Sequence, residues 1–326
     1  MAFLFTKYAF FMSEKKYSNK DLHTANKGKN DEFYTQLSDI EKEMGNYKDH
    51  FKDKIVFCNC DDPEESHFWK YFSENFEHLW LKKLICTHYE TEKSSYKLEI
   101  SRDIDGDWKI NKKDGEKIPL KQNGDFRSPE CIEILREADI VVTNPPFSLF
   151  REYVSQLFEY DKKFIIVGNQ NAITYKDFFK FIKENAVWLG HSIHSGDREF
   201  RVPEHYPLNA IWSRIDKDWN KYIRIKGIRW FTNLDYKERH EDLVLYKKYV
   251  PEEYPKYDNY DAINVDKTKN IPMDYTGDIG VPITFLDKYN PEQFEIIKFR
   301  KGNDEKDLCI NGKCPYFRII IKNKKL

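Results

Sequence analysis

Four short apolar runs, each followed by a segment of helical spacing, constrain this chain more than any other feature. Residues 54–58, 83–87, 138–143 and 163–167 read as four buried strands. Runs apolar on both faces suit strands covered by helices on either side. Between them, residues 67–76 place aromatics on one helical face, and Ser128 precedes Pro129 as an N-cap precedes the first helical position. Residues 149–158 and 177–184 also read as helices. Such alternation predicts an α/β fold built on a parallel, doubly wound, Rossmann-like sheet. Ligands of these sheets lie beyond the carboxyl ends of the strands. Three polar segments fall there: 59–63, 87–90 and 144–147.

The rest of the chain has a different character. Residues 1–30 form a Lys-rich, flexible arm, and a helix is expected from Ser38 with Glu41 completing a capping box. Residues 96–110 suggest a hairpin turning at Asp105-Gly106. From about Gly190 onward the apolar runs shorten and prolines recur, and residues 221–231 alternate basic with apolar side chains. The expected division is an arm at 1–30, a ligand-binding domain at 31–235 and a smaller, irregular α+β module at 236–326.

Length and charge set only bounds. A chain of 326 residues holds one large and one small domain. With 54 basic and 55 acidic residues, any nucleic-acid surface must come from cations gathered on one face. Aromatics reach 16%, more than a core of this size needs, and base stacking is one use for the surplus. Cys58, Cys60, Cys86, Cys131, Cys309 and Cys314 form no paired ligand motif, so free thiols are expected and no metal site. The apolar stretch 1–12 is interrupted by Lys7 and is too short to span a bilayer. The reading is a cytoplasmic protein without a membrane segment, with Met1 or Met12 as its start.

The segment after the third run carries the sharpest signal. Asn144-Pro145-Pro146-Phe147 follows Ile140-Val141-Val142. Two prolines there can simply stop a strand. They can also aim acceptors at a planar amine. The exocyclic nitrogen of adenine is a poor nucleophile because its lone pair is delocalised into the ring. The Asn144 side-chain oxygen can accept one N–H and the Pro145 carbonyl the other, which biases the nitrogen toward a pyramidal shape. Proline fixes the backbone that carries the carbonyl. Phe147 can stack on the base. A duplex adenine reaches such a pocket only after flipping out.

These residues resemble the catalytic motif of amino-methylating DNA methyltransferases. The wider sequence resembles the EcoRI methylase family of adenine-specific enzymes through segments 29–36, 56–63, 124–127, 138–148, 230–233 and 279–286. The resemblance implies S-adenosylmethionine as methyl donor and double-stranded DNA as substrate. It implies a restriction-modification role, with a possible cognate endonuclease, and a monomer. It implies that Phe33, Tyr34 and Thr35 close over the cofactor, and that Asn59 with Asp61 or Asp62 holds its amino-acid end. Here the chain departs from the usual pattern, since no glycine follows the first strand. Glu90 is expected on the ribose, and Asp125 with Phe126 at the adenine ring of the cofactor. Residues 236–326 become a target-recognition domain, and Lys221, Arg224, Lys226 and Arg229 become candidates for DNA contact. Transfer to cytosine N4, to RNA or to protein glutamine suits the same acceptors, and a DNA-binding protein without catalysis is the remaining alternative.

Overall fold

The computed structural model describes residues 33–60, 62–90, 95–194, 197–204, 206, 208 and 213–326. The N-terminal arm and Asp61 lie outside the described residues. The chain divides into two units, one comprising Met1–Ala172 with Ser195–Leu234, the other Ile173–His194 with Asp235–Leu326.

In chain order the strands are β1 (Ile55–Cys58), β2 (Lys83–Thr87), β3 (Tyr96–Ile100), β4 (Glu116–Pro119), β5 (Ile140–Thr143), β6 (Lys163–Asn169), β7 (Trp188–Leu189), β8 (Asp197–Val202), β9 (Ser213–Ile215), β10 (Lys221–Lys226) and β11 (Ile228–Thr232). The helices are α1 (Leu37–Met44), α2 (His67–Glu74), α3 (Pro129–Glu137), α4 (Phe150–Glu159) and α5 (Lys176–Lys183).

The first unit centres on four parallel strands in the order β2-β1-β5-β6. They are the four apolar runs of the sequence, and β1 and β5 are buried along their whole length. The sheet is mixed rather than wholly parallel. β3 and β4 add antiparallel beyond β2, and β11 adds antiparallel beyond β6. The sequence reading missed this because short connections and edge strands leave no mark on the apolar pattern. The order changes direction between β1 and β5, and that switch point opens a crevice at their carboxyl ends.

Local signals held in part. Ser128 Oγ accepts from Cys131 N at 3.3 Å with Pro129 at the first turn. α1 instead starts at Leu37 after Gln36, with no side-chain cap, so the expected box at Ser38 does not form. The hairpin between β3 and β4 is closed by a long loop, not a tight turn at Asp105-Gly106. Asp103 and Asp114 accept from loop amides, Gly106 N at 2.7 Å and Ile104 N at 2.8 Å, so side chains satisfy backbone that a ladder would otherwise pair. Residues 221–231 form two strands instead of one, because Gly227 turns the chain at φ +70°. β10 leaves for a separate three-stranded sheet in the order β8-β10-β9, while β11 joins the main sheet.

The second unit contains β12 (Ala262–Asn264), β13 (Asp278–Val281), β14 (Phe294–Phe299), β15 (Leu308–Ile310), β16 (Lys313–Tyr316) and β17 (Ile319–Asn323). Four of them make a sheet in the order β12-β13-β17-β14. Residues 173–194, read from sequence as part of the first domain, belong to this unit. The reason is the apolar face of α5: Phe178, Phe179 and Ile182 are buried, and Phe179 stacks on Phe299 at 5.0 Å. The hairpin β15–β16 brings Cys309 and Cys314 together as a disulfide, which corrects the expectation of six free thiols. Cys58, Cys60, Cys86 and Cys131 form no disulfide among the described residues.

Candidate active site

Hydrogen bonds tie together the segments that leave the switch point. Cys60 N, just after β1, donates to Thr143 Oγ1 at the end of β5 at 3.2 Å. Asn59 is buried, and its Oδ1 accepts from the Tyr153 hydroxyl on α4. Burial drives the Tyr153 phenol well above its ordinary value, so it stays a donor. Asn59 Nδ2 is also buried and has no hydrogen-bond partner among the described residues.

Asn144 stands at the carboxyl end of β5, only 5% exposed. Its amide nitrogen donates to the Phe33 carbonyl at 2.5 Å. Its amide oxygen, equally buried, has no partner among the described residues. An orphaned buried acceptor costs roughly 1–3 kcal/mol, which makes this oxygen a candidate contact for a bound group. Pro145 is buried, and Phe147 opens a short 3-10 turn with its ring half-buried. Phe33 packs on that ring with centroids 5.5 Å apart.

The N-terminal segment lies across this loop. Phe33, Tyr34 and Thr35 are all buried. Tyr34 bridges to Arg201 on β8, Tyr34 N donating to Arg201 O at 2.8 Å. The Thr35 carbonyl lies 2.7 Å from His67 Nδ1 at the start of α2. Thr35 Oγ1 is buried and unpartnered among the described residues.

At the ends of β1 and β2 the groups are more exposed. Burial raises the Asp62 carboxyl above its ordinary value, although the Glu64 amide and His88 work against the shift. Asp62 Oδ1 accepts from Glu64 N at 2.9 Å, and Oδ2 lies 3.5 Å from His88 Nε2. His88 stacks on Tyr96 at 4.8 Å, with Nδ1 2.8 Å from Ser95 Oγ. Glu90 N donates to the Asn123 carbonyl at 2.8 Å, which ties the 87–90 loop to the segment that follows. There Gly124 has φ +78°, and a Cβ on it would sit 1.9 Å from the His88 carbonyl oxygen. Only glycine lets the two loops approach this closely.

The next residue departs from expectation. Asp125 already gives both oxygens to Arg127, at 2.8 Å to Nε and 2.6 Å to the terminal nitrogen. The hydrogen bonds with Asp125 push the guanidinium further above its ordinary value. Phe126 is buried edge-on to Tyr153 at 5.1 Å, and its carbonyl accepts from Gln156 Nε2 at 3.2 Å. Tyr153 thus joins the Asn59 loop to the Phe126 loop.

Sequence reasoning passed over Tyr153, His88, Arg127 and Ser95. His88 had a positional signal, since it directly follows β2. Tyr153 had none, because its role depends on two loops distant in sequence. The basic candidates separate. Arg224 and Lys226 are exposed on β10, and the Lys221 ammonium donates to the carbonyls of Glu204 and Tyr206. Arg229 is only 2% exposed within β11, where a side chain cannot reach a phosphate, so it leaves the set of surface cations.

The family model for the adenine-specific methyltransferase EcoRI matches residues 21–324. The Type II methyltransferase M.EcoRI of Escherichia coli is 56% identical over 319 residues, spanning 95% of this chain and 98% of the relative. M.MgeORF184P of Mycoplasma genitalium is 40% identical over 93% of this chain and 98% of its own length, and M.MpnI of Mycoplasma pneumoniae is 38% identical over 92% and 97%. No solved structure matches the chain.

Proposed function

This chain belongs to the EcoRI family of adenine-specific methyltransferases, and from that premise we propose how its site works. The enzyme is a Type II adenine-specific DNA methyltransferase acting on double-stranded DNA. Its methyl donor is S-adenosylmethionine, which when bound supplies an electrophilic methyl group on a sulfonium sulfur. The observation that carries the reading is the buried Asn144 amide oxygen at the topological switch point, which has no partner among the described residues.

The target adenine enters flipped out of the duplex. Asn144 Oδ1 accepts one of its amino hydrogens and the Pro145 carbonyl the other. The lone pair is then aimed and the nitrogen made more nucleophilic, so positioning and electrostatics supply most of the rate. Phe147 stacks on the base, and Phe33 steadies Phe147 from behind. The Phe33 carbonyl also fixes which way the Asn144 amide points, because with the nitrogen engaged the oxygen must face the substrate.

The donor's pocket is formed by the residues around Asn59, Asp62, Asp125 and Phe126, with Phe33, Tyr34 and Thr35 as its cover. Asn59 Nδ2 and Thr35 Oγ1, both without a partner among the described residues, suit a polar ligand. Asp62 pairs with the ammonium of the amino-acid end. Asp125 accepts three hydrogen bonds from Arg127, and the lone pair left on Oδ2 accepts from the donor's adenine amine. Glu90 accepts from the ribose hydroxyls. Asp61 shares the amino-acid end by its place in the sequence.

Arg224 and Lys226 neutralise phosphates, and the unit containing residues 235–326 reads the target sequence. Among the described residues no helix is long and apolar enough to cross a membrane, and the enzyme works as a cytoplasmic monomer beside a cognate endonuclease. The decisive assay is methyl incorporation into duplex DNA with nucleoside mass spectrometry. N6-methyladenine from the native protein, lost with Asn144→Ala while donor binding persists by calorimetry, is the expected result. Methylcytosine, or methylation confined to RNA or protein, would overturn the proposal.

A further inference from the structure

Among the described residues, Trp80, Trp108 and Trp219 are strongly exposed, at 70%, 92% and 83%, and all three have positive φ. That backbone region is uncommon for a bulky side chain. Their positions distinguish them. Trp80 precedes β2, at the amino edge of the parallel strands. Trp108 lies in the β3–β4 loop at that same edge, because β3 runs antiparallel to β2 and Ile100 pairs with Leu84. Its loop carries no excess of positive charge, with Asp103, Asp105, Asp107 and Asp114 balancing Arg102, Lys109, Lys112 and Lys113.

Trp219 belongs to the opposite edge. It sits in the turn between β9 and β10. In that sheet Lys221 pairs with Val202, and the neighbouring Arg201 pairs with Tyr34, whose preceding carbonyl holds Asn144. Strand geometry places the turn on the order of 15 Å from the catalytic loop. Residues 213–226 carry five cations, Arg214, Lys217, Lys221, Arg224 and Lys226, against two acids. One of those acids builds the turn. Asp216 Oδ1 accepts from Asp218 N and Asn220 N, both at 2.9 Å, and Oδ2 accepts from Asn220 Nδ2 at 3.0 Å and the Tyr222 hydroxyl at 3.2 Å. A braced turn thus holds an indole in solvent, next to a site that needs an extruded base.

We propose that Trp219 is the wedge that enters the duplex and fills the space left by the target adenine. The inference rests on the DNA reading above. An aromatic face inserted into the stack replaces the lost base–base contacts, while the exposed Arg224 and Lys226 hold the phosphates; Arg214 is already bidentate to Glu199, and Lys221 donates to the carbonyls of Glu204 and Tyr206. The indole packs against no core, and the Asp216 hydrogen bonds do not involve its ring, so Trp219→Ala should fold normally.

The test uses the full-length enzyme and a duplex carrying its methylated sequence, located by methylation-sensitive sequencing of an expressing host. A second duplex is identical but has an abasic site opposite the target adenine, which lowers the cost of flipping. Trp219→Ala should lose about ten- to a hundredfold in kcat/KM on the paired duplex and recover to within about threefold of native on the abasic one. Trp219→Phe should retain most activity, and Trp108→Ala should match the native enzyme on both. Native rates for Trp219→Ala on the paired duplex would overturn the proposal, as would equal losses on both duplexes. A native enzyme that methylates neither would instead sink the DNA reading beneath it.

Discussion

After β5, Asn144 leaves its side-chain amide oxygen buried and without a partner among the described residues, whereas ahead of α3 Asp125 gives both carboxylate oxygens to Arg127. Both positions lie at the carboxyl edge of one sheet, and both were candidates by sequence. The protein has satisfied one polar group and kept the other waiting. A group kept waiting carries a cost in the free protein that substrate relieves, so its loss should appear in turnover rather than in stability. A group already satisfied holds a loop in place, so its loss should weaken structure and binding together.

The largest effect tests the first half of that contrast. Asn144→Ala should lower kcat by about a hundred- to a thousandfold, the range known for single electrostatic donors. Its melting temperature should stay near native, because the lost bond to Phe33 is offset by removal of a buried orphan. A variant that melts far below native but keeps its turnover would invert the contrast. Phe147→Ala should loosen the base and raise KM, and Phe147→Trp should recover part of the loss through its stacking face.

The next effect concerns outward-facing cations. Replacing Arg224 and Lys226 together by Ala should weaken binding to every DNA sequence and reduce the slope of log affinity against log salt by about 2. A loss confined to one sequence would make them readers of bases. Arg229→Leu should leave that slope unchanged, since its buried guanidinium meets no phosphate.

Asp125→Ala sharpens the second half of the comparison. It strands the half-exposed Arg127, and donor affinity should fall modestly, by about 0.5–1.5 kcal/mol for one hydrogen bond to a neutral amine. Arg127→Gln should produce part of the same loss through loop geometry alone. Unchanged donor affinity in both variants, measured by calorimetry, would remove this loop from the pocket.

The smallest effect depends on pH. Burial raises the Asp62 carboxyl in the folded state above its unfolded value near 3.8. Below that value both states are protonated and the group contributes nothing. As pH rises from the unfolded value to the raised folded one, the unfolded state ionises first and Asp62 progressively costs stability, and the cost is complete above the folded value. Asp62→Asn should therefore melt higher than native at pH 7, with the gain shrinking as pH falls toward 4. Donor affinity should fall in the same variant. A variant that gains stability without losing affinity would show that Asp62 does not hold the ammonium.

Much of this site was legible before any fold was in hand. The runs at 54–58 and 138–143 identified β1 and β5, because a strand buried on both faces needs uninterrupted apolar residues. Asn144 could be placed at a strand's carboxyl end from its neighbours alone, and Ser128-Pro129 announced α3 because capping is local chemistry. Sequence also carried the family, through segments spread over most of the chain. Tertiary structure decided who partners whom. The carbonyl that orients Asn144 comes from Phe33, 111 residues earlier. Tyr153 joins Asn59 to Phe126 across three segments, and α5 packs with the second unit through Phe179 and Phe299. The edge strands turned antiparallel, and Gly227 sent β10 and β11 to different sheets. Periodicity reports which face of an element is apolar, and it is silent on which distant group will meet a given polar atom. That choice falls to the packed whole, which matches most buried donors and acceptors and leaves a few, Asn144 Oδ1 among them, without a partner among the described residues.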